Sequence, residues 1–583
     1  MQATLRLPLE VKRPRRRRVR NPGLLLVALL PMAVIAVLVA VLIFISFQAG
    51  LAGSDAQAST LANYAELLSD SLFYTALRNT AVFAVVSILV ALLAGLPIAW
   101  LAERTTIHGK ALVYATMTVG IVIPGIYTAM GWTFIGNPRI GIINKLLQGW
   151  FGLDSPPLNI GTPIGMGFVQ GLSLAPLGFI LSAQMFRAMN PSLEEAARVH
   201  GMSFKRTLRK VTLPLARPGI LAAVIYIATI ALATFDIPAI LGLGNREYML
   251  STYVYDLVHP PGAGEPNYGV AAALGTFMIL IALALTMWYA TVLRSGERYQ
   301  VVTGKGYRPV LLNVGPWEFA AWGFIVAYAL LTVLVPLAVL GFVAFTPYVM
   351  APSLAALGKM GWANYRGLDW ELIVRGLQHT LTLMAVVPVV VVLLSFAVSW
   401  LVVRSRIRAR YALDFGAFLP QAIPELVLAV SALLLALFVV GKLVPLYGSV
   451  WLIAIVYIVA RLAFATRAFN GALLQIHREL EEAAISAGLT MARTSRKVLI
   501  PLLRPTLFSV WLWTALLVYR ELTAAVFLSS ERNITLQAVV WSFWFSGAQN
   551  KAAAITLLVT VVMAPLIALF WWFGRRGSIL GNA

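Results

Sequence analysis

The chain of 583 residues has no cysteine, so disulfides, thiolate metal sites and cysteine nucleophiles are all excluded. Charge is scarce as well: Asp, Glu, Lys and Arg make up 12% of the residues, against about 25% in soluble domains. Acid is the scarcer sign, 23 residues against 45 basic ones, and it is too dispersed to form the clustered acid, base or metal constellation of a membrane-embedded transferase. The five histidines, His108, His200, His259, His379 and His477, form no metal-spaced pair. No stretch matches G-x-x-x-x-G-K-[ST], and Gly304-Lys305-Gly306 lacks both the spacing and the hydroxyl residue after Lys, so no nucleotide-phosphate loop is encoded.

What fills the chain instead is hydrocarbon, at 60% hydrophobic residues. A helix crosses roughly 30 Å of bilayer core in about 20 residues. Apolar runs of that length lie near 22–47, 77–101, 111–135, 160–186, 212–243, 269–293, 317–345, 378–402, 412–440, 447–468, 502–528 and 552–574. The expected fold is therefore all-α, a polytopic membrane protein of about twelve spans. The first run is too long for a signal-peptide core of about 7–15 residues, despite Ala56-Gln57-Ala58, and is expected to be retained.

With the N-terminus in the cytoplasm, about 33 of the 45 basic residues fall on that side, as basic flanks should. The segment from Phe47 to Ala76 carries Asp55, Glu66 and Asp70 but no Lys or Arg, as a translocated loop should. Both termini are then cytoplasmic. The net charge of +22 and the tail VKRPRRRRVR at 11–20 superficially suggest nucleic acid. A basic cluster directly before a first span instead fixes topology and rests on anionic membrane lipid, so no nucleic-acid partner is expected. Trp100, Trp400, Trp571 and Trp572, near span ends, are expected as interfacial anchors.

The chain also repeats itself. EEAARVHGMSFKRTLRKVTLPLARP at 194–218 and EEAAISAGLTMARTSRKVLIPLLRP at 481–505 agree at about 14 of 25 positions, where unrelated segments would agree at one or two. Leu77, Thr80, Val86, Trp100, Leu101 and Arg104 return as Leu377, Thr380, Val386, Trp400, Leu401 and Arg404, and Pro124 returns as Pro424. The drop in offset from 300 to 287 puts extra residues of the first copy in a loop between Gly136 and Ile160. Two parallel homologous six-helix halves follow, related by an axis along the membrane normal. Their bounds are a basic tail over 1–21, a first half over 22–300 with its loop at 190–218, and a second half over 301–583 with its loop at 477–505.

Each cassette reads as a short helix, a sharp turn and a second helix. Gly201 and Gly488 supply the left-handed residue that ends the first helix, and Ser203 and Thr490 stand where caps of the second belong. Pro214 and Pro501, after Leu213 and Ile500, begin the next span, since Pro is tolerated in a first helical turn. Ala196, Ala197, Ala483 and Ala484 offer a surface small enough for close approach by a partner. A loop resting on lipid explains Arg206, Arg209 and Lys210, but not the repeated Glu-Ala-Ala and Gly.

The pattern Glu-Ala-Ala, three residues, Gly, nine residues, an aliphatic residue, one residue, Leu or Ile, then Pro fits Glu195 to Pro214 and again Glu482 to Pro501. It resembles the signature loop of ABC-importer permeases. In that family the loop is the coupling helix, seated in a cleft of a cytoplasmic ATPase. The resemblance implies that Glu195, Gly201, Glu482 and Gly488 carry coupling. It also implies two copies of a separate ATPase, which binds ATP and Mg while this chain binds no cofactor and performs no bond chemistry, and a periplasmic solute-binding protein. The location implied is the bacterial inner membrane, and the motion is alternating access of one half against the other.

Intramembrane charges usually face an interior or a water-filled path, because lipid exposure costs about 2.5–3.5 kcal/mol on insertion scales. Asp236, Glu425 and Glu521 are the candidate path residues, with Arg461 and Arg520 beside them. The alternative is structural pairing, of Arg520 with Glu521 or of Arg461 with a helix-end carbonyl. The segments FDIPAILGL at 235–243 and YQVVTGKGYRP at 299–309 are similar to stretches of the ferric-iron branch, which implies ferric iron as cargo. Hard cations suit carboxylate oxygen and need no histidine cluster. Thiamine, polyamine and phosphonate importers share the architecture, and a twelve-helix secondary transporter is the more distant alternative, though its loops would have no reason to repeat this cassette.

Overall fold

The computed structural model describes residues 22–48, 59–189, 192–262, 264–296, 311–405, 407–441 and 443–579. The basic tail, Ala56 to Ala58 and the stretch 299–309 lie outside them. Among the described residues the chain is helical, with isolated bridges and no strand. Hydrocarbon enforces this, since a helix satisfies its own backbone groups where water is absent.

Among the described residues nine helices are long and apolar enough to cross a membrane, and up to eleven spans result when two bent helix pairs count as one each. The last expected run lies within helix Gln549–Ile579, so each of the twelve runs falls on a helix or a broken helix. Two breaks cut across runs that look continuous in sequence. Lys110–Val122 meets Gly125–Gly136 at 92°, and Arg410–Ala422 meets Glu425–Val439 at 98°. Pro124 and Pro424 stand at these corners in extended conformation, and a proline holds the residue before it out of the helical region. The loop between Gly136 and Ile160 contains a further helix, Ile142–Phe151.

Equivalent devices recur in both copies. Asp70 accepts from Leu72 N at 2.8 Å to start helix Ser71–Arg104, and Asp369 accepts from Leu372 N at 3.0 Å to start Trp370–Val403. Deeper in the same helices Thr80 and Thr380 accept from Leu250 N and Leu536 N, each at 2.9 Å. Each hydroxyl thereby satisfies an otherwise orphaned donor at the start of helices Leu250–Val258 and Leu536–Phe545.

The first spans are exchanged. Helix Pro22–Ser46 packs against Trp370–Val403 and Glu425–Leu434, while Val335–Phe345 packs against Gly125–Gly136. Gly131 permits the second contact: a Cβ there would lie 2.7 Å from Pro336 Cβ. Gly416, on helix Arg410–Phe418, likewise lets Pro22–Ser46 come close, since a Cβ there would lie 2.4 Å from Met32 Sδ. Tyr328 adds a hydrogen bond to Leu172 O at 3.2 Å. The halves are therefore interlocked, and small residues let their helices approach as intramembrane interfaces require.

Candidate functional site

The first cassette helix is Ser192–Val199 and its counterpart is Arg478–Ser486. Glu194 and Glu195 stand in the first turn of one, Glu479 and Glu481 in that of the other, where the helix dipole favours negative charge. Both end in the same way. Gly201 has φ 75° and Gly488 φ 85°. Met202 N bonds back to Ala197 O at 3.0 Å, and Leu489 N to Ala484 O at 3.1 Å, closing a left-handed helix stop in each. A Cβ on either glycine would meet open space, so backbone conformation rather than crowding selects glycine here.

Thr490 Oγ1 accepts from Arg493 N at 3.4 Å, as its capping position suggests. Ser203 occupies the equivalent position without a side-chain cap. The second arm of each cassette does not stop before the span. It runs through a π-turn, Leu208–Thr212 or Ser495–Leu499, directly into Leu213–Ala233 or Ile500–Arg520. Pro214 and Pro501 lie in the first turn of those spans, and the wider turn accommodates their missing N–H. Movement of the cassette is thus mechanically continuous with the membrane helix that follows.

Each cassette has an inward and an outward face. Ala197 and the first glutamate of each pair, Glu194 and Glu481, are buried. Ala196, Gly201, Glu482, Ala483 and Gly488 are exposed, with Glu195 and Ala484 half-buried. Leu193, Val199, Leu480 and Ile485 are exposed apolar side chains on the same short helices.

Sequence reasoning singled out Glu195 and Glu482 and missed their neighbours, which seat the cassettes. Arg104 Nη1 lies 3.8 Å from Glu194 Oε2, and Arg404 Nε lies 2.8 Å from Glu481 Oε1. Arg104 also donates to Met189 O at 3.1 Å, while Arg404 donates to Leu473 O at 2.9 Å and Ile476 O at 2.7 Å. The carbonyls belong to the ends of the helices that lead into the cassettes, where cations suit the helix dipole. Burial pushes the Glu481 carboxyl above its ordinary value, with Arg404 opposing it. The recurrence of Arg104 as Arg404 was the available signal.

Trp400 is not an interfacial anchor: it is 5% exposed and packed in one cluster with Leu499 at the foot of the second cassette. Trp100 packs against Phe204 of the first, the rings tilted with centroids 5.5 Å apart.

The intramembrane charges come together between the halves with their expected partners exchanged. Arg461, on helix Val450–Gln475, holds Glu425 Oε2 at 3.0 Å and Glu521 Oε2 at 2.7 Å. Arg520 donates instead to the Ile121 carbonyl of the first half, at the end of the broken helix before Pro124. Glu425 opens helix Glu425–Leu434 just past the second break. Asp236 stands against the first break, where a Cβ on Gly125 would lie 2.2 Å from its Oδ2. Arg520 and Glu521 both act electrostatically on Asp236. Among the described residues no group of three or more His, Cys, Asp or Glu has metal-holding geometry.

The family model described as "Binding-protein-dependent transport system inner membrane component" matches residues 71–299 and again 397–577. The ferric transport system permease protein FbpB of Actinobacillus pleuropneumoniae is 25% identical over 496 residues, covering 81% of this chain and 66% of that protein. The chain thus spans just under two thirds of that relative's length. The Fe(3+)-transport system permease protein FbpB 2 of Haemophilus influenzae is 25% identical over 510 residues, covering 86% of this chain and 90% of that protein. The trehalose/maltose transport system permease protein MalF of Thermococcus litoralis is 26% identical over 240 residues, covering 40% of this chain and 78% of that protein.

Proposed function

The chain belongs to the family of binding-protein-dependent transport system inner membrane components, and from that premise we propose that it is the two-half permease of an ATP-driven importer. One observation carries the reading: two cassettes with the same left-handed stop, the same Arg–Glu seat and the same continuity into a span, one in each half. Two ATPase subunits dock on them at the exposed faces of the Glu-Ala-Ala helices, from which the buried Ala197 is turned away, and at Gly201 and Gly488, and bind the ATP and Mg. Closure of the ATPase pair draws the cassettes together and rocks one half against the other. Such closure acts only because the ATPases bind one membrane conformation more tightly than the other.

A periplasmic binding protein delivers the solute on the opposite face, and both termini lie in the cytoplasm. Ferric iron is the cargo we favour, supported by relatives named for ferric transport and by carboxylates at the broken helices. Asp236, Glu425 and Glu521 line the path. Thiamine, polyamine and phosphonate are the competing cargoes.

The test is co-expression with the candidate ATPase. We expect co-purification and vanadate-sensitive uptake into proteoliposomes; an isolated chain that transports without an ATPase would overturn the reading.

A further inference from the structure

The duplication provides an internal control for the intramembrane charges. Glu425, Arg461 and Glu521 of the second half correspond, at offsets of 300, 287 and 287, to Gly125, Leu174 and Thr234 of the first. The first half makes the same broken helix, the same span before its cassette and the same span after it without any of these charges. The repeat fold therefore does not need them. Buried ion pairs are also poor stabilisers, since desolvation offsets their attraction. A triad kept in one copy alone asks for a functional explanation.

Its geometry supplies one. Arg461 bridges two carboxylates, at 3.0 and 2.7 Å; with Arg520 and Asp236 beside them the cluster holds three carboxylates and two guanidiniums, leaving one carboxylate in excess. Its Nε is buried without a hydrogen-bond partner, so the guanidinium is held by the carboxylates through one edge only. Arg461 and Glu521 stand on different elements. Arg461 lies on Val450–Gln475, which leads into the second cassette, and Glu521 directly follows Ile500–Arg520, which leads out of it. Glu425 stands on a third element, the helix Glu425–Leu434 that opens after the second break.

We propose that Glu425 and Glu521 form a cation-binding site in the transport path, occupied in the unloaded state by Arg461 as a tethered counter-ion that cationic cargo displaces. This rests on the reading of the chain as an importer permease. Arg461 is a positioning residue: it keeps the carboxylates apart from other cations until cassette movement frees them. The site selects for cations with oxygen preference and disfavours phosphonate, which would have to face both carboxylates.

The test uses the assembled complex with its ATPase and binding protein, reconstituted in proteoliposomes and supplied with radiolabelled ferric citrate. Arg461→Leu, the residue of the first half, removes the competitor. Ferric ion retained by the purified complex should rise by about tenfold, within the usual range for coupled ligands, while turnover falls. The triple replacement Glu425→Gly, Arg461→Leu and Glu521→Thr should assemble, keep ATPase activity stimulated by the binding protein and lose ferric uptake. Unchanged retention in the single variant, or wild-type uptake in the triple variant, would overturn the proposal. If the single variant fails to assemble, the triple variant decides alone. Failure of the underlying reading is separately visible, because the wild-type complex would then show no ATP-dependent uptake.

Discussion

Replacing Gly201 and Gly488 together by alanine isolates the turn on which each cassette ends. Both glycines have positive φ, 75° and 85°, and a Cβ at either meets nothing within 4 Å. The substitution therefore adds no clash inside the chain, only the strain of an L-residue in the left-handed region, roughly 1–2 kcal/mol per turn. That is a factor of about 5–30 in the population of the native turn. The turns lie in separate halves with no shared partner, so their costs should add. The assay is paired: recovery of the ATPase with the purified permease, and vanadate-sensitive uptake by the same complex. Uptake should fall by at least about fivefold, while the membrane body elutes as before. Asparagine, which tolerates the left-handed conformation, should restore most of it. Wild-type association and uptake in the double alanine variant would refute the assignment of these turns to docking.

Three further outcomes follow from the same geometry. Arg404→Ala should loosen its cassette more than Arg104→Ala, because its ion pair is 2.8 rather than 3.8 Å and it also holds two carbonyls. Breaking a buried pair costs about 3–5 kcal/mol, so limited proteolysis should cut the second cassette faster, and equal rates would contradict the seating. Gly125→Ala should abolish uptake while leaving ATPase association intact, since its Cβ would lie 2.2 Å from Asp236 Oδ2 and drive that carboxylate away; retained uptake would remove Asp236 from the path. The Glu481 carboxyl titrates above its ordinary 4.5 because of burial. Burial outweighs the pull of Arg404 at this carboxyl, so the ionised pair is held at a net cost that is absent below that value and sets in as pH rises through the raised one. Hydrogen exchange in Arg478–Ser486 should then become faster over that rise, and Glu481→Gln should abolish the change.

The cassettes were legible in the sequence because repetition exposes them: Glu-Ala-Ala and Gly return at one offset, and a glycine at a helix stop has a single physical meaning. The spans were legible because hydrocarbon accepts little else. The 92° and 98° breaks were not, since a Pro inside an apolar run marks a possible corner without giving its angle. The pairing of charges was not legible either. Arg520 and Glu521 are neighbours in sequence, yet the helix ends between them and they point to different halves. Glu194 and Glu481 were overlooked because two adjacent glutamates on a short helix look alike until tertiary packing buries one of them. Trp400 misled for a related reason: a tryptophan near a span end reads as an interfacial anchor unless the cassette that folds over it is already known.

The absence of cysteine makes the central claim directly measurable. Arg209→Cys and Arg496→Cys place one label on the exposed second arm of each cassette, at equivalent positions of the two halves. In the reconstituted complex, the distance between paired spin labels should shorten when ATP binds without hydrolysis and return when nucleotide is removed. A distance that stays the same through the nucleotide cycle, in a complex that still transports, would contradict the claim that these cassettes carry the stroke.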